Sequence, residues 1–352
     1  MRGRLAFLTL LAPAALACGC ASTSELITAR SQSPAASCCV DEPKIDQQKP
    51  GTKRNDGREP NKGTEARDTK ENGEKAGEKE KQDKNESGPP KTLLEWAVGP
   101  PAEEKPEAED HIVTDRPDFT EASVTVGLGR VQLEAGYTCV RDHAAGAVRV
   151  AQTYPEALLR IGLFADWFEL RLGNTYVHSR TTAFGQTTEH RSGMDDLYLG
   201  AKLALTEQKG YWPETATILQ ATVPTGANSL TAGKILPGVS FLYGWDVIPD
   251  FLSAGGSFIA NRAVDDVGHG YVELAQSFTI GYQLTSQVGA YTEWFALYPT
   301  SAIAPDVTAQ HYFNGGLTYL VTPDFQLDVR AGWGLNRHAE DFFAGAGFAV
   351  RY

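Results

Sequence analysis

The chain has 352 residues, a formal net charge of −12 at pH 7 and 41% hydrophobic residues. An acidic chain argues against a DNA or RNA partner, because nucleic acids bind to basic surfaces. Its cysteines, 5 in number, show no spacing typical of a zinc site, and we expect neither a metal nor a cofactor.

The first residues have the features of a bacterial export signal. Arginines precede a short apolar stretch over residues 5–17, and small residues then lead into a cysteine. Those small residues resemble a lipobox, so we predict a lipoprotein-type signal peptide over residues 1–19, with lipid attached to Cys20. Cys18 is the alternative attachment site, and simple signal-peptidase cleavage without lipid is the alternative process.

Residues 20–92 are expected to form a disordered, charged linker. Residues 41–90 are rich in Lys, Glu, Asp and Gly, and Ile45 is their only sizeable apolar side chain. Such a segment cannot bury enough surface to offset the entropy lost on ordering. Its charges are of both signs, which is typical of a linker and not of a nucleic-acid arm.

Residues 93–126 are expected to form a short helix and a segment that precedes or plugs a barrel. Residues 93–98 are apolar except for Glu95 and are followed by a glycine and two prolines, which predicts a short helix. Trp96 on this helix would contact the membrane interface or a barrel rim, or dock another protein. The sequence does not separate these interpretations.

From residue 127 to 352, short alternating segments recur with turn residues between them, which predicts antiparallel strands. A bacterial transmembrane barrel has an even number of strands, and about twelve can be read here. The fold class is therefore all-β: an antiparallel transmembrane β-barrel preceded by the disordered N-terminal linker. The expected spans are 130–140, 155–164, 167–178, 194–205, 214–223, 237–247, 251–260, 271–284, 287–298, 309–321, 324–335 and 341–352.

The expected connections alternate in length. Tight turns are predicted around Asp166, Pro249, Ser286 and Pro323, whereas the intervening connections, such as residues 179–193, are longer and polar. Short turns on one side and long loops on the other are typical of the periplasmic and external faces of outer-membrane barrels.

Within the strands, one phase is apolar and the other carries charge. In a membrane barrel the apolar phase faces lipid and the charged phase faces the lumen, whereas in a soluble barrel the two roles are exchanged. On the membrane interpretation, the predicted pore-lining residues are Glu134, Arg160, Glu169, Arg171, Asp196, Lys202, Glu273, Glu293, Asp328 and Arg330. The alternative is that these charges form internal ion pairs that fill the interior.

Aromatic residues and the chain end favour the membrane interpretation. Tyr and Trp gather near the ends of the expected strands, as in the interfacial girdles of membrane barrels. Residues 342–352 alternate apolar and small or polar positions and end on Tyr352, which is typical of a closing strand.

The block Thr114-Asp115-Arg116-Pro117-Asp118-Phe119-Thr120-Glu121 resembles the outer-membrane transporters grouped as the "MetA-pathway of phenol degradation" family. Residues 132–137, 193–202 and 224–226 resemble later blocks of that family, although Asp195 stands where a second glycine is usual. The resemblance implies a barrel and a transporter over residues 111–352. It marks Asp115, Arg116, Pro117, Asp118 and Glu121 as the family motif.

The motif has two compatible interpretations. It could fold back into the periplasmic mouth of the barrel and pair with lumen charges such as Arg160 or Glu134. It could also be purely structural, since Pro117 fixes an extended bend and Asp118 can cap a turn.

No motif for an enzyme is present: there is no G-x-S-x-G, no H-E-x-x-H and no P-loop. We expect a non-enzymatic outer-membrane channel or transporter for small solutes, with hydrophobic or aromatic solutes as candidates. The alternative is a structural anchor whose linker engages peptidoglycan or a periplasmic protein. The expected location is the bacterial outer membrane, with lipid as a partner and both termini in the periplasm.

Overall fold

The computed structural model describes residues 90–98 and 111–352, except residues 145, 266, 305 and 306. The predicted signal peptide, the lipid attachment site at Cys20 or Cys18, and the linker up to residue 89 lie outside the described residues. The described chain contains one helix, α1 (Leu93–Val98), and thirteen strands. The strands are β1 (Val131–Ala144), β2 (Ala147–Gly162), β3 (Phe168–Ala183), β4 (Gln186–Met194), β5 (Leu197–Thr206), β6 (Glu214–Val223), β7 (Leu236–Ile248), β8 (Leu252–Val264), β9 (Gly270–Gln283), β10 (Val288–Thr300), β11 (Gln310–Thr322), β12 (Phe325–Gly334) and β13 (Phe342–Arg351).

The helix α1 forms at the predicted place and begins with a local cap. The Thr92 hydroxyl accepts a hydrogen bond from the Glu95 backbone N–H at 3.2 Å, and the Glu95 carboxylate accepts one from the Lys91 N–H at 3.1 Å. A Thr followed three residues later by Glu is a favoured way to begin a helix. The helix contacts β5, and the Trp96 ring lies 5.7 Å from that of Trp167.

The strands form one antiparallel sheet that closes on itself. Strand β1 pairs with both β2 and β13, and β2 also pairs with β3. Strand β4 pairs with β3 alone, while β5 pairs with the rest of the same edge of β3. Leaving out β4, twelve of the thirteen strands form the closed ring. The predicted antiparallel transmembrane barrel of about twelve strands is thereby confirmed.

Both ends of the barrel chain meet at one end of the barrel. The Val131 and Tyr352 backbones exchange hydrogen bonds of 3.0 and 2.8 Å. We call this the terminal end and the opposite one the distal end. Tight turns at residues 249–251 and 323–324 lie at the terminal end, and the long connection over residues 224–235 lies at the distal end.

Some segments expected to be loops are strands. Residues 141–144 and 147–154 continue β1 and β2, and residues 179–194 form the hairpin of β3 and β4. These segments carry polar residues on both faces, so they show no apolar alternation. Backbone pairing does not require such alternation, which is why a pattern-based prediction misses them.

The alternating faces of the strands are inverted relative to a soluble barrel. On β12, Gln326, Asp328 and Arg330 are buried, whereas Leu327 and Val329 are 43% and 49% exposed. Exposed apolar side chains beside buried charges suit a lipid-facing wall and a polar interior. Among the described residues, no helix is both long and apolar enough to cross a membrane.

Candidate functional site in the barrel lumen

A segment ahead of β1 fills much of the barrel interior. We call residues 111–130 the luminal segment. It starts at the terminal end, where the Ile112 N–H donates to the Pro323 carbonyl at 2.7 Å. It returns to the same end, where the Leu128 N–H donates to the Asp166 carboxylate at 2.9 Å. Between these points it contacts inward-facing residues from many strands.

Asp115 is the centre of the largest ionic cluster. Its carboxylate accepts hydrogen bonds from the Arg171 guanidinium at 2.6 Å and from the Lys202 amine at 3.0 Å. Arg160 lies 3.4 Å from the same carboxylate. Asp115 is 7% exposed and the three cations are 1% exposed or less. Removal of this carboxylate would leave buried positive charges without compensation, which is costly in a low-dielectric interior.

The strand carboxylates around this cluster complete it. Glu134 accepts a hydrogen bond from the Asp115 N–H at 3.1 Å and one from Arg160 at 3.0 Å. Glu169 accepts from Arg160 at 2.9 Å and from the Val126 N–H at 2.9 Å. The charges expected to face the lumen therefore bind the luminal segment as well as one another.

Arg116 joins the luminal segment to strands β2 and β12. Its guanidinium lies 2.8 Å from Glu156 and 3.3 Å from Asp328. The paired glycines Gly136 on β1 and Gly347 on β13 make room for it. A Cβ atom added at Gly136 or at Gly347 would lie 2.3 or 2.4 Å from atoms of the guanidinium. Any side chain at these positions would force Arg116 to move.

The rest of the family motif is also bound to the wall. The backbone N–H groups of Phe119 and Thr120 donate to Glu293 at 2.8 and 2.7 Å. Arg330 donates to the Pro117 carbonyl at 2.8 Å. Glu121 is bound by Arg171. Asp118 belongs to the motif but makes no hydrogen bond from its carboxyl group to a described strand residue.

An aromatic cluster lies at the deepest point that the luminal segment reaches. Phe119 stacks on Phe295, with ring centroids 4.5 Å apart, and Phe295 stacks on Tyr312 at 4.7 Å. Phe343 meets Tyr312 edge-on at 6.1 Å. We call these four residues the aromatic stack. Buried Val140, Ala151, Ala275, Leu297 and Ala339 pack with it.

The aromatic stack was missed from sequence because the inward phase was taken as the polar one. Phe295 is two residues from Glu293, and Tyr312 is two residues from Asn314, so each ring shares the inward face of a polar residue. The signal was present as aromatic residues in the charged phase. Phe343 stands likewise in the phase opposite to the apolar residues of the last strand.

Two of the expected pore-lining residues lie apart from the luminal segment. Asp196 accepts hydrogen bonds from the Gly226 and Ala232 N–H groups, both at 3.0 Å, and so holds the distal loop over residues 224–235. A Cβ atom at Gly226 would come within 2.9 Å of Asp196, which explains the glycine after Thr225. Glu273 is buried on the inward face of β9 and contacts no residue of the luminal segment through a hydrogen bond.

Asp195 adjoins this loop clamp. Its carboxylate accepts the Asp196 N–H at 2.8 Å, and its residue is 6% exposed. Burial, together with the neighbouring charge of Asp196, raises the pKa of Asp195 to about 6. The aspartate that departs from the usual family pattern is thus a buried acid at the distal end.

Comparisons with known proteins agree with the barrel fold. The family model described as "Putative MetA-pathway of phenol degradation" matches residues 114–352. No curated protein matches the chain. Among solved structures, the chain is similar to the COG4313 outer membrane channel from Pseudomonas putida F1, with 14% sequence identity and a TM-score of 0.51. That match covers 65% of this chain and 98% of the channel.

Two more distant barrels are the NanC porin and the translocator domain of the autotransporter NalP from Neisseria meningitidis. The NanC porin has 9% identity and a TM-score of 0.40, and the match covers 62% of this chain and 98% of the porin. The NalP domain has 10% identity and a TM-score of 0.40, with 63% of this chain and 88% of the domain covered.

An apolar outer wall, a charged interior and a closed antiparallel sheet define a β-barrel of the outer-membrane type. The chain belongs to the "MetA-pathway of phenol degradation" family, and the match begins at Thr114, the first residue of the motif bound in the lumen.

Proposed function

We propose that the protein is an outer-membrane channel for small hydrophobic or aromatic solutes, and that solutes pass when the luminal segment moves. The observation that carries this proposal is the aromatic stack. The segment contributes Phe119, and the wall contributes Phe295 and Tyr312. A flat solute could take the place of the Phe119 ring on Phe295, which already stacks on such a ring.

The lengths of the connections between strands support an orientation of the barrel in the membrane. The terminal end carries the tight turns at residues 249–251 and 323–324, the start of the luminal segment and Tyr352. Because short turns are periplasmic in bacterial outer-membrane barrels, we place the terminal end, and with it both termini, in the periplasm. The distal end, with the long loop over residues 224–235, then faces the exterior.

The movement of the luminal segment can be tested with a reversible lock. The hydroxyl oxygens of Thr120 and Ser277 lie 2.6 Å apart, so a Thr120→Cys/Ser277→Cys variant places two thiols in contact. Phenylalanine is a suitable aromatic probe, since it crosses a protein-free bilayer slowly, and alanine is the non-aromatic match. We expect the oxidised variant in liposomes to lose phenylalanine flux and the reduced variant to regain it.

The single variants Thr120→Cys and Ser277→Cys serve as controls, because neither can form the lock. Equal flux through the oxidised and reduced double variants would show that the segment need not move. Absence of phenylalanine flux through the unmodified, folded barrel would overturn the channel itself and leave the anchor function as the better explanation.

A further inference from the structure

Inward-facing residues of neighbouring strands form a polar row that ends at Glu273. The Tyr198 hydroxyl donates to the Gln220 side-chain oxygen at 2.9 Å, and the Gln220 amide donates to the Asn261 oxygen at 2.9 Å. In the strand register, Gln220 pairs with Gly238, Gly238 with Asn261, and Asn261 with Glu273. The row therefore crosses from β6 to β9 at one level of the barrel.

Gly238 on β7 allows this row to form. A Cβ atom at Gly238 would lie 1.9 Å from the Asn261 oxygen, so any side chain there would separate Gln220 from Asn261. The Asn261 side-chain oxygen thus accepts a hydrogen bond from Gln220. On the neighbouring strand, Asn261 pairs in register with Glu273.

Glu273 itself has no side-chain partner among the described residues. It is 6% exposed, yet it forms no hydrogen bond or ion pair within the part of the chain that the structure describes. On its other side it pairs in register with Pro299, which has no backbone N–H to donate. By contrast, Glu134, Glu169 and Glu293 are each bound by several donors. A buried carboxyl group without a donor is unfavourable and indicates a position suited to a ligand.

Glu273 also lies next to the apolar part of the lumen. On β9 and β10, Glu273 and Pro299 are followed on the same face by Ala275 and Leu297, which pack with the aromatic stack. Ser277 is the next inward residue of β9, and its hydroxyl contacts Thr120 of the luminal segment. Glu273 is therefore on the distal side of the aromatic stack, and the luminal segment enters the stack from the terminal side through Phe119.

We propose that Glu273 binds the protonated amine of a solute whose apolar or aromatic part packs against the aromatic stack. This inference rests on the proposed channel function and narrows its solutes to hydrophobic amines. A cation supplies both the charge and the hydrogen-bond donors that the buried carboxylate lacks. The neighbouring aromatic and aliphatic side chains supply the apolar surface for the rest of the solute.

The test compares two probes of similar shape that differ in charge. 2-Phenylethylamine is protonated at pH 7, and 2-phenylethanol is its neutral match. Binding of each to the folded full-length protein in detergent is measured by calorimetry, so that the result does not depend on flux. We expect Glu273→Gln to weaken binding of the amine by about tenfold or more, since a hydrogen bond to a charged group is lost. Binding of 2-phenylethanol should be unchanged.

Two further variants make the result specific. Glu273→Asp keeps the charge but shortens the side chain, and we expect an intermediate loss of amine affinity. Glu189→Gln removes the same charge from β4, outside the row, and should bind both probes like the unmodified protein. Amine binding that is unaffected in Glu273→Gln, or no stronger than alcohol binding in the unmodified protein, would overturn the inference. Neither result would contradict phenylalanine flux through liposomes, so the inference about Glu273 can fail while the proposed channel function holds.

Discussion

At the scale of single residues, Asp115 has the contacts expected of the residue that holds the luminal segment in place. It is the one carboxylate of the segment that is shared by Arg160, Arg171 and Lys202 among the described ion pairs. Burying so many charges is favourable only when each is compensated. Replacement of Asp115 should therefore destabilise the protein more than replacement of any single surface charge, because isolated surface ion pairs contribute little to stability.

We predict that Asp115→Asn loosens the luminal segment and makes the lumen more positive. Breaking a buried ion pair from one side costs about 3–5 kcal/mol, because the opposite charges stay buried. Conductance in planar bilayers should rise, and the ion selectivity should shift toward anions. Asp324→Asn is the control, since Asp324 pairs with Arg351 at the terminal rim and is half exposed. An Asp115→Asn channel with unchanged conductance and selectivity would contradict this role.

A second prediction concerns pH and Asp195. Its folded-state pKa of about 6 is above the ordinary value of 3.8, so the folded protein holds the proton more tightly than the unfolded chain. The resulting stability is present at low pH and is lost as pH rises through about 6, when the buried carboxylate ionises beside Asp196. The thermal unfolding midpoint should therefore fall between pH 5 and pH 7, and Asp195→Asn should reduce that fall. An identical pH profile in the variant would rule out Asp195 as the source.

At the scale of elements, the seam between β1 and β13 both closes the barrel and admits Arg116. The two strands pair over Gln132–Tyr137 and Ala346–Arg351, and their glycines stand directly opposite each other. Glycine normally weakens a strand, so a facing pair of them at the closing seam needs a reason. The reason is the guanidinium of Arg116, which occupies the space where two side chains would otherwise lie.

We predict that Gly347→Ala displaces Arg116 from Glu156 and Asp328. The added methyl would overlap the guanidinium, and overpacking of this kind costs about 1–3 kcal/mol. The variant should unfold at lower temperature on heat-modifiability gels, and its luminal segment should be cut faster by protease. Ala346→Val, on the neighbouring outward-facing position of the same strand, is the control for added volume. If the Gly347→Ala protein resists heat and protease as well as Ala346→Val does, Arg116 can adjust without loss of stability.

At the scale of the whole molecule, the sequence predicted the barrel well and its interior less well. Alternation along β12, with Leu327 and Val329 outward and Asp328 and Arg330 inward, was sufficient to place both faces, since a period of two fixes them together. What alternation cannot supply is the path of an irregular segment, whose contacts join residues far apart in the chain. Arg330, for example, was predicted to line a pore, with internal charge pairing as the alternative; alternation gave no sign that it would be buried against the Pro117 carbonyl.

The helix α1 leads to the last prediction, which concerns the part of the chain ahead of it. Glu95 lies 3.9 Å from Lys209, and Trp96 contacts Trp167, so residues 90–98 have contacts of their own with the terminal end of the barrel. Deletion of residues 41–89 should therefore leave the luminal segment in place. Phenylalanine flux through liposomes and heat-modifiable migration should match those of the full chain.

A channel would keep its cellular phenotype after this deletion, whereas an anchor that acts through the linker would lose it. Loss of flux from a folded deletion variant would instead assign the linker a direct part in opening the lumen, because the contacts of Trp96 and Glu95 alone would then be insufficient to set the position of the segment.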